Sequence, residues 1–163
     1  SYIAENTLVG PSGIGPLNGA DGIGTESRRF KHAVVESNVM RNDTFWVRHG
    51  AEHVTIRNNV LRFDGGTIFS IDGYSSQFGR GAKDIVYSHN TGHNNAARGK
   101  FLDVGGDVDG ITLTNNLYVA PNFSPGTEAA AAVYVRDTDL RSFRTIANNV
   151  WPSGDNGIGW AQG

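Results

Sequence analysis

The sequence has no cysteine among its 163 residues, and only 18% of those residues are charged. The absence of thiols excludes disulfides, thiolate metal sites and cysteine nucleophiles. The net charge of -2 at pH 7 supplies no basic field that would indicate a nucleic-acid partner. No apolar run approaches the roughly 18 residues of a membrane span. We therefore expect residues 1–163 to form one domain that is held together by packing.

Helical periodicity is weak along the whole chain, whereas glycine, with 22 residues, and asparagine are abundant. Such a composition suits many turns and short strands and disfavours helix bundles. The chain starts with Ser1 inside a repeated phrase, so we expect it to be part of a longer chain or of an assembly. The composition predicts an all-β fold.

A short alternating strand that ends in asparagine recurs along the sequence. The final asparagines of the six copies are Asn6, Asn38, Asn59, Asn90, Asn116 and Asn149. The steps between them are 32, 21, 31, 26 and 33 residues, which is typical of a constant structural unit with loop insertions of variable length.

A second strand-like phrase lies between these copies, for example at Phe45–Gly50, Ile68–Gly73 and Phe101–Gly106. A brief apolar stretch after each asparagine, such as Val60–Phe63, supplies a third short strand. Three strands per coil that stack roughly 4.8 Å apart form a parallel β-helix. We predict a parallel β-helix solenoid of about six coils.

Three copies carry the pattern most clearly, at Val54–Leu61, Ile111–Tyr118 and Ile146–Trp151. Aliphatic residues alternate there with other residues, and two asparagines and an apolar residue follow. This pattern resembles the right-handed β-helix repeat of the pectate-lyase-like superfamily. The resemblance implies an extracellular or cell-surface protein, but the superfamily includes polysaccharide lyases, glycoside hydrolases, epimerases, tailspikes and adhesins. A shared fold does not fix the function.

The repeated asparagines have a structural and a functional interpretation. Asparagine tolerates a left-handed backbone, and amides that repeat in stacked coils can bond one another. Contact with a ligand or metal is the alternative for Asn58, Asn115 or Asn148, and we favour the structural interpretation because buried polar groups are normally hydrogen-bonded. Alternating aliphatic residues should point into the core, namely Val54, Ile56, Ile111, Leu113 and Ile146.

Two outward columns flank the second strand of each coil if Val47, Ile71, Val104 and Val135 face inward. One column contains Trp46, Ser70, Asp103 and Tyr134; the other contains Arg48, Asp72, Gly105 and Arg136. Aromatic and charged side chains on one long surface suit a polysaccharide. The predicted catalytic residues are Arg48, His49, Asp72, Asp103 and Arg136, and the predicted substrate contacts are Glu26, Trp46, Lys100 and Tyr134. A register slip of one residue would move every side chain to the other face.

Two mechanisms could use this face. In a lyase, Arg48, Arg136 or Lys100 would remove a proton beside a uronate carboxylate that a cation neutralises. In a hydrolase, Asp72 and Asp103 would act as acid and base at a separation of roughly 5–9 Å. The non-catalytic alternative is that Arg48, Asp72 and Arg136 form surface ion pairs, which contribute little.

We expect no cofactor, apart from a possible Ca²⁺ ion in the lyase alternative. Asp72, Asp103 and Asp107 could supply its oxygen ligands, although no clear acidic cluster marks a strand end. His49 is a possible acid or base beside Arg48. Three other histidines, His53, His89 and His93, lack the spacing of zinc ligands on one element.

The predicted function is binding or cleavage of a polysaccharide on this outward strand face. The alternative is a non-catalytic structural or adhesin β-helix within a larger surface assembly. Open coil ends favour the alternative, because bare strand edges are normally covered. We therefore expect another segment or subunit to stack on at least one end.

Overall fold

The computed structural model describes residues 2–9, 31–42, 44–48, 50–73, 81–124, 130–136 and 140–152. No helix in these ranges is long and apolar enough to cross a membrane. One turn of 3-10 helix occurs at Leu140–Ser142. The strands are β1 (Tyr2–Ala4), β2 (Thr7–Val9), β3 (Lys31–Glu36), β4 (Val39–Arg41), β5 (Phe45–Arg48), β6 (Glu52–Arg57), β7 (Val60–Arg62), β8 (Thr67–Gly73), β9 (Ala82–Ser88), β10 (Thr91–His93), β11 (Gly99–Gly106), β12 (Val108–Asp109), β13 (Ile111–Thr114), β14 (Leu117–Val119), β15 (Ala130–Val135) and β16 (Phe143–Ala147).

The strands form three sheets in which the paired strands are parallel. The first sheet has the order β1-β3-β6-β9-β13-β16, with β12 also pairing with β9. The second has the order β14-β10-β7-β4-β2, and the third has the order β15-β11-β8-β5.

Successive strands along the chain visit the first, second and third sheets in turn, as β3-β4-β5, β6-β7-β8 and β9-β10-β11 do. We call each such trio a repeat unit. The all-β prediction is confirmed, and parallel strands in three stacked sheets are compatible with a parallel β-helix.

A continuous column of side chains forms the core beneath the first sheet. Ile56 is in register with Tyr87, Tyr87 with Leu113, and Leu113 with Ile146. Ile56, Tyr87 and Leu113 are fully buried, and Ile146 packs against the same cluster. Three residues predicted to point inward, Ile56, Leu113 and Ile146, therefore belong to one column, with Tyr87 between the first two.

Aromatic rings connect the three sheets inside the core. The ring centroid of Phe69, from the third sheet, lies 5.0 Å from that of Tyr87 and 5.2 Å from that of Phe101. The centroid of Phe101 in turn lies 5.8 Å from that of Tyr118, in the second sheet, and 5.3 Å from that of Trp151. Tilted and edge-on pairs at these separations are favourable beyond the burial of their area.

The six repeated asparagines form a ladder at the turn between the first and second sheets. In each of the five consecutive pairs, Nδ2 of the first asparagine donates to Oδ1 of the next at 2.9–3.1 Å. The same Oδ1 accepts a backbone N–H from the asparagine of the preceding unit. Four members of the ladder are almost fully buried, so these bonds satisfy polar groups that have no access to water.

The residue just before each ladder asparagine has a left-handed backbone. These residues are Glu5, Ser37, Asn58, His89, Asn115 and Asn148, with φ between 54° and 59°. Asparagine tolerates this conformation better than most residues. The left-handed residue and the bonded amides expected of the paired asparagines are therefore present, and His89 takes the position of the first asparagine of a pair.

Candidate functional site

The register of the third sheet brings the predicted outward columns together. Trp46 is in register with Ser70, and Asp103 is in register with both Ser70 and Tyr134. Arg48 pairs with Asp72, which pairs with Gly105. The valines and isoleucine between the two columns are buried. The alignment expected from the sequence is therefore present, with no slip between these strands.

Asp103 lies at the centre of an ion-pair cluster. Lys100 Nζ lies 2.7 Å from Asp103 Oδ2, and Arg136 Nε lies 2.7 Å from Asp103 Oδ1. Asp103 is only 8% exposed. Because each of its oxygens faces a different cation, the carboxylate is both hydrogen-bonded and neutralised, as a buried charge requires.

Lys100 also makes a cation–π contact. Its Nζ lies 4.0 Å from the ring centroid of Tyr134, which is itself 6% exposed. This contact and the bond to Asp103 fix the ammonium group on two sides. We name Lys100, Asp103, Tyr134 and Arg136 the third-sheet cluster.

Arg136 is the most exposed charged member of the third-sheet cluster, with 34% of its side chain accessible against 15% for Lys100 and 12% for Asp103. It reaches Asp103 over Gly105, where an added Cβ would lie 2.8 Å from the guanidinium carbon. A residue without a side chain at 105 therefore provides the space for the Arg136–Asp103 bond. The formal charge of the cluster is +1, from two cations and one carboxylate.

For four of the remaining predicted site residues, the structure describes only the backbone or nothing at all. The strand positions of Arg48 and Asp72 are paired, but their side chains lie outside the described part of the chain. Glu26 and His49 also lie outside the described residues. Trp46 is partly buried in the same column as Asp103.

The carboxylates predicted as Ca²⁺ ligands are Asp72, Asp103 and Asp107. Within the described ranges, no three His, Asp or Glu side chains converge so that they could hold a metal ion. Asp103 contacts two cationic side chains, and Asp107 is exposed. The described side chains therefore offer no three-ligand carboxylate site, and a Ca²⁺ ion at Asp72 stays a prediction.

A second polar cluster, which the sequence did not indicate, lies at the start of the first-sheet strands. The rings of His32 and His53 stack with a centroid distance of 4.8 Å. Asp84 Oδ2 lies 3.4 Å from His53 Nδ1, and Asp84 Oδ1 accepts from Arg144 Nη2 at 2.5 Å. The only sequence signal is the spacing of 21 residues between the two histidines, which equals the step from Asn38 to Asn59. We name His32, His53, Asp84 and Arg144 the histidine column.

Known proteins provide no further information on either cluster. Comparison of the chain with protein-family models, with curated proteins and with solved structures finds no match. The resemblance to the pectate-lyase-like superfamily therefore stays a prediction that rests on the asparagine-terminated strands.

Proposed function

We propose that the chain is a right-handed parallel β-helix of the pectate-lyase-like type that binds an extracellular polysaccharide on the outward face of the third sheet. The observation that carries this proposal is the position of Arg136. Its guanidinium is partly exposed and is fixed by Asp103 from the neighbouring strand. A guanidinium in a fixed orientation suits planar anionic groups such as carboxylates.

The charge of the third-sheet cluster favours an acidic polysaccharide over a neutral one. Two basic side chains, Lys100 and Arg136, face the same carboxylate on this sheet, and such a pair of cations suits the uronate or sulfate groups of a glycan. Trp46, a partly exposed aromatic residue in the same column, is the group proposed to pack against a sugar ring. Tyr134 is buried and supports Lys100.

If the protein also cleaves its ligand, the described side chains favour lyase chemistry over hydrolysis. A hydrolase needs one carboxyl group to donate a proton to the leaving oxygen. Both oxygens of Asp103 already accept from cations, so this residue is poorly placed for that role. In a lyase, the charged guanidinium of Arg136, which Asp103 positions, is proposed to neutralise the uronate carboxylate, and Arg48 stays the candidate base.

Binding can be tested by calorimetric titration with pectin, alginate, hyaluronan and a neutral glucan. We expect acidic glycans to bind and Arg136→Gln to weaken their binding about tenfold or more, because a charge-assisted bond is lost. Arg41→Gln is the matched control, since Arg41 is an exposed arginine on the second sheet. Unchanged binding in Arg136→Gln, or equal losses in both variants, would contradict the proposal.

Cleavage is tested separately, through the ultraviolet absorbance of unsaturated products and the release of reducing ends. Unsaturated product that disappears in Arg136→Gln supports the lyase mechanism. Binding without either signal leaves a non-catalytic polysaccharide-binding protein. Reducing ends without unsaturation would contradict the lyase chemistry.

The second candidate function is a non-catalytic structural or adhesin β-helix. It is favoured by the mutual satisfaction of Lys100, Asp103 and Tyr134, which are mostly buried in contact with one another. In that case the third-sheet cluster stabilises the stack and none of the glycans binds. Asp103→Asn would then lower the free energy of unfolding while no glycan titration shows heat.

A further inference from the structure

The histidine column is built by a backbone feature that recurs in successive repeat units. His32, His53 and Asp84 each stand near the start of a first-sheet strand and have φ values of 54°, 55° and 52°. The same unusual conformation at the same place in neighbouring strands makes the side chains project in the same direction. Stacked strands lie roughly 4.8 Å apart, and the two imidazole rings are 4.8 Å apart with only 10° between their planes.

Asp84 orients one of these rings. Its Oδ2 lies 3.4 Å from Nδ1 of His53, while its Oδ1 accepts from Arg144. A carboxylate beside Nδ1 favours the tautomer with the proton on that nitrogen, so the lone pair is on Nε2. This carboxylate–imidazole arrangement is the one that commonly supports a metal-ligating histidine.

Gly110 allows this orientation. It occupies the corresponding position in the next unit, with φ of 76°, and an added Cβ there would lie 2.8 Å from Asp84 Oδ1 and 3.0 Å from Arg144 Nη2. Because Gly110 has no side chain, Arg144 can reach across the repeat unit of Gly110 and hold Asp84 in place against His53.

We propose that His32 and His53 form a two-histidine site for a divalent transition-metal ion, with Asp84 as the positioning residue and water in the remaining coordination positions. Imidazole nitrogen suits Cu²⁺, Ni²⁺ and Zn²⁺, and the general order of stability favours Cu²⁺. Two nitrogens bound to one ion are roughly 3 Å apart, given metal–nitrogen bonds of about 2 Å. Both residues are exposed, so modest side-chain rotation brings the nitrogens from their stacked separation to this distance.

The surrounding charges do not oppose a cation. Lys31 lies 2.6 Å from Glu52, and Lys83 lies 4.0 Å from Asp109. Together with the Arg144–Asp84 pair, these ion pairs contribute three positive and three negative charges to the described part of the first sheet. The site has two protein ligands, which agrees with the finding that no three such side chains converge in the described part of the chain.

The test is a Cu²⁺ titration of the full chain, freed of metals by a chelator, followed by calorimetry and electron paramagnetic resonance. We expect one ion per chain and a spectrum with two coordinated nitrogens. His32→Asn or His53→Asn should remove one nitrogen and weaken binding more than tenfold. Asp84→Asn should keep both nitrogens and weaken binding about tenfold, the effect of losing an outer-shell carboxylate.

His89→Asn is the matched control. His89 is also exposed and left-handed, but it stands at the other end of its strand from the histidine column. Asparagine accepts this conformation, so each histidine variant should fold. Unchanged binding in His53→Asn, or an equal loss in His89→Asn, would overturn the proposal. A wild-type spectrum with a single nitrogen would overturn it without reference to any variant.

Discussion

The side-chain amide of Asn59 donates to Oδ1 of Asn90 at 3.0 Å, although 31 residues separate the two along the chain. The backbone N–H of Asn59 donates to the same oxygen at 3.1 Å. Asn59 Nδ2 also bonds the carbonyl oxygens of Val35 and Arg57. One buried amide thus connects three repeat units and closes a turn.

Replacing Asn59 with alanine should therefore be strongly destabilising. The change leaves the N–H and Nδ2 of Asn38 without their shared acceptor inside the protein. Each unsatisfied buried group costs about 1–3 kcal/mol, so we expect the free energy of unfolding to fall by about 3 kcal/mol in urea titrations.

Asn58→Gly is the control for this substitution. Asn58 is adjacent and exposed, and its φ of 54° suits glycine. We expect a change of about 0.5 kcal/mol or less. Equal effects of the two substitutions would show that the ladder contributes little.

Tyr87→Phe should stabilise the protein. The Tyr87 hydroxyl is buried in the core and has no hydrogen-bond partner among the residues that the structure describes. Removing it relieves an uncompensated desolvation cost, and we expect a gain of about 1 kcal/mol in the free energy of unfolding. In Tyr118→Phe the hydroxyl that is lost accepts from Asn94 Nδ2 at 3.0 Å, so that variant should instead lose about 1 kcal/mol. Changes of the same sign in the two variants would contradict this account.

Stability should decrease in alkaline solution. Burial raises the pKa of Tyr118 to about 12, although the hydrogen bond from Asn94 opposes the shift. Burial alone raises the pKa of Tyr87 still further. In the unfolded chain tyrosine ionises near pH 10, at about its reference value. Between about pH 10 and 12 the unfolded state therefore binds fewer protons than the native state, so the free energy of unfolding falls as the pH rises.

The measurement is a set of urea titrations from neutral pH to above pH 10. The double variant Tyr87→Phe, Tyr118→Phe lacks both buried phenols and should lose less stability over this interval than the wild type. An identical pH dependence of the two proteins would contradict the assignment.

Gly105→Ala should detach Arg136 from Asp103 with little loss of stability. The added methyl group would meet the guanidinium, which is the movable end of a partly exposed side chain. We expect a stability change of about 1 kcal/mol or less, with weaker binding of acidic glycans if the proposed function holds. The measurements are a urea titration and the glycan titration.

Gly92→Ala provides the comparison. There an added Cβ would lie 2.8 Å from the buried ring of Phe101, which cannot move freely. Overpacking of this kind costs about 1–3 kcal/mol. A larger loss of stability in Gly105→Ala than in Gly92→Ala would contradict the role given to Gly105.

Much of the architecture was predictable because it depends on local chemistry that repeats. Alternating aliphatic residues and a terminal asparagine specify a strand, a turn and an amide that needs a partner. The same sequence motif in the next repeat unit supplies the asparagine that is this partner. Asn38, Asn59 and Asn90 therefore took their predicted places even though loops of different length separate them.

The details of the candidate site depend on departures from regularity, which the pattern does not encode. Lys100 and Asp103 are three residues apart on one strand, so strict alternation would place them on opposite faces. Phe101 and Leu102 are both buried, which breaks the alternation and brings Lys100 to Asp103. The stacking of His32 on His53 likewise depends on a left-handed residue at the start of each strand, where histidine is not the expected residue.

The asparagine ladder also has a direction. In all five amide–amide bonds from Asn6 to Asn149, the asparagine of lower number donates through Nδ2 and the one of higher number accepts through Oδ1. The amide dipoles are therefore parallel, and each polarises the next. An amide in the middle of the row is reinforced from both sides, whereas a terminal one is reinforced from one side only. The same substitution should for this reason cost more at Asn59 than at Asn6, and lengthening the row would strengthen the bonds already in it.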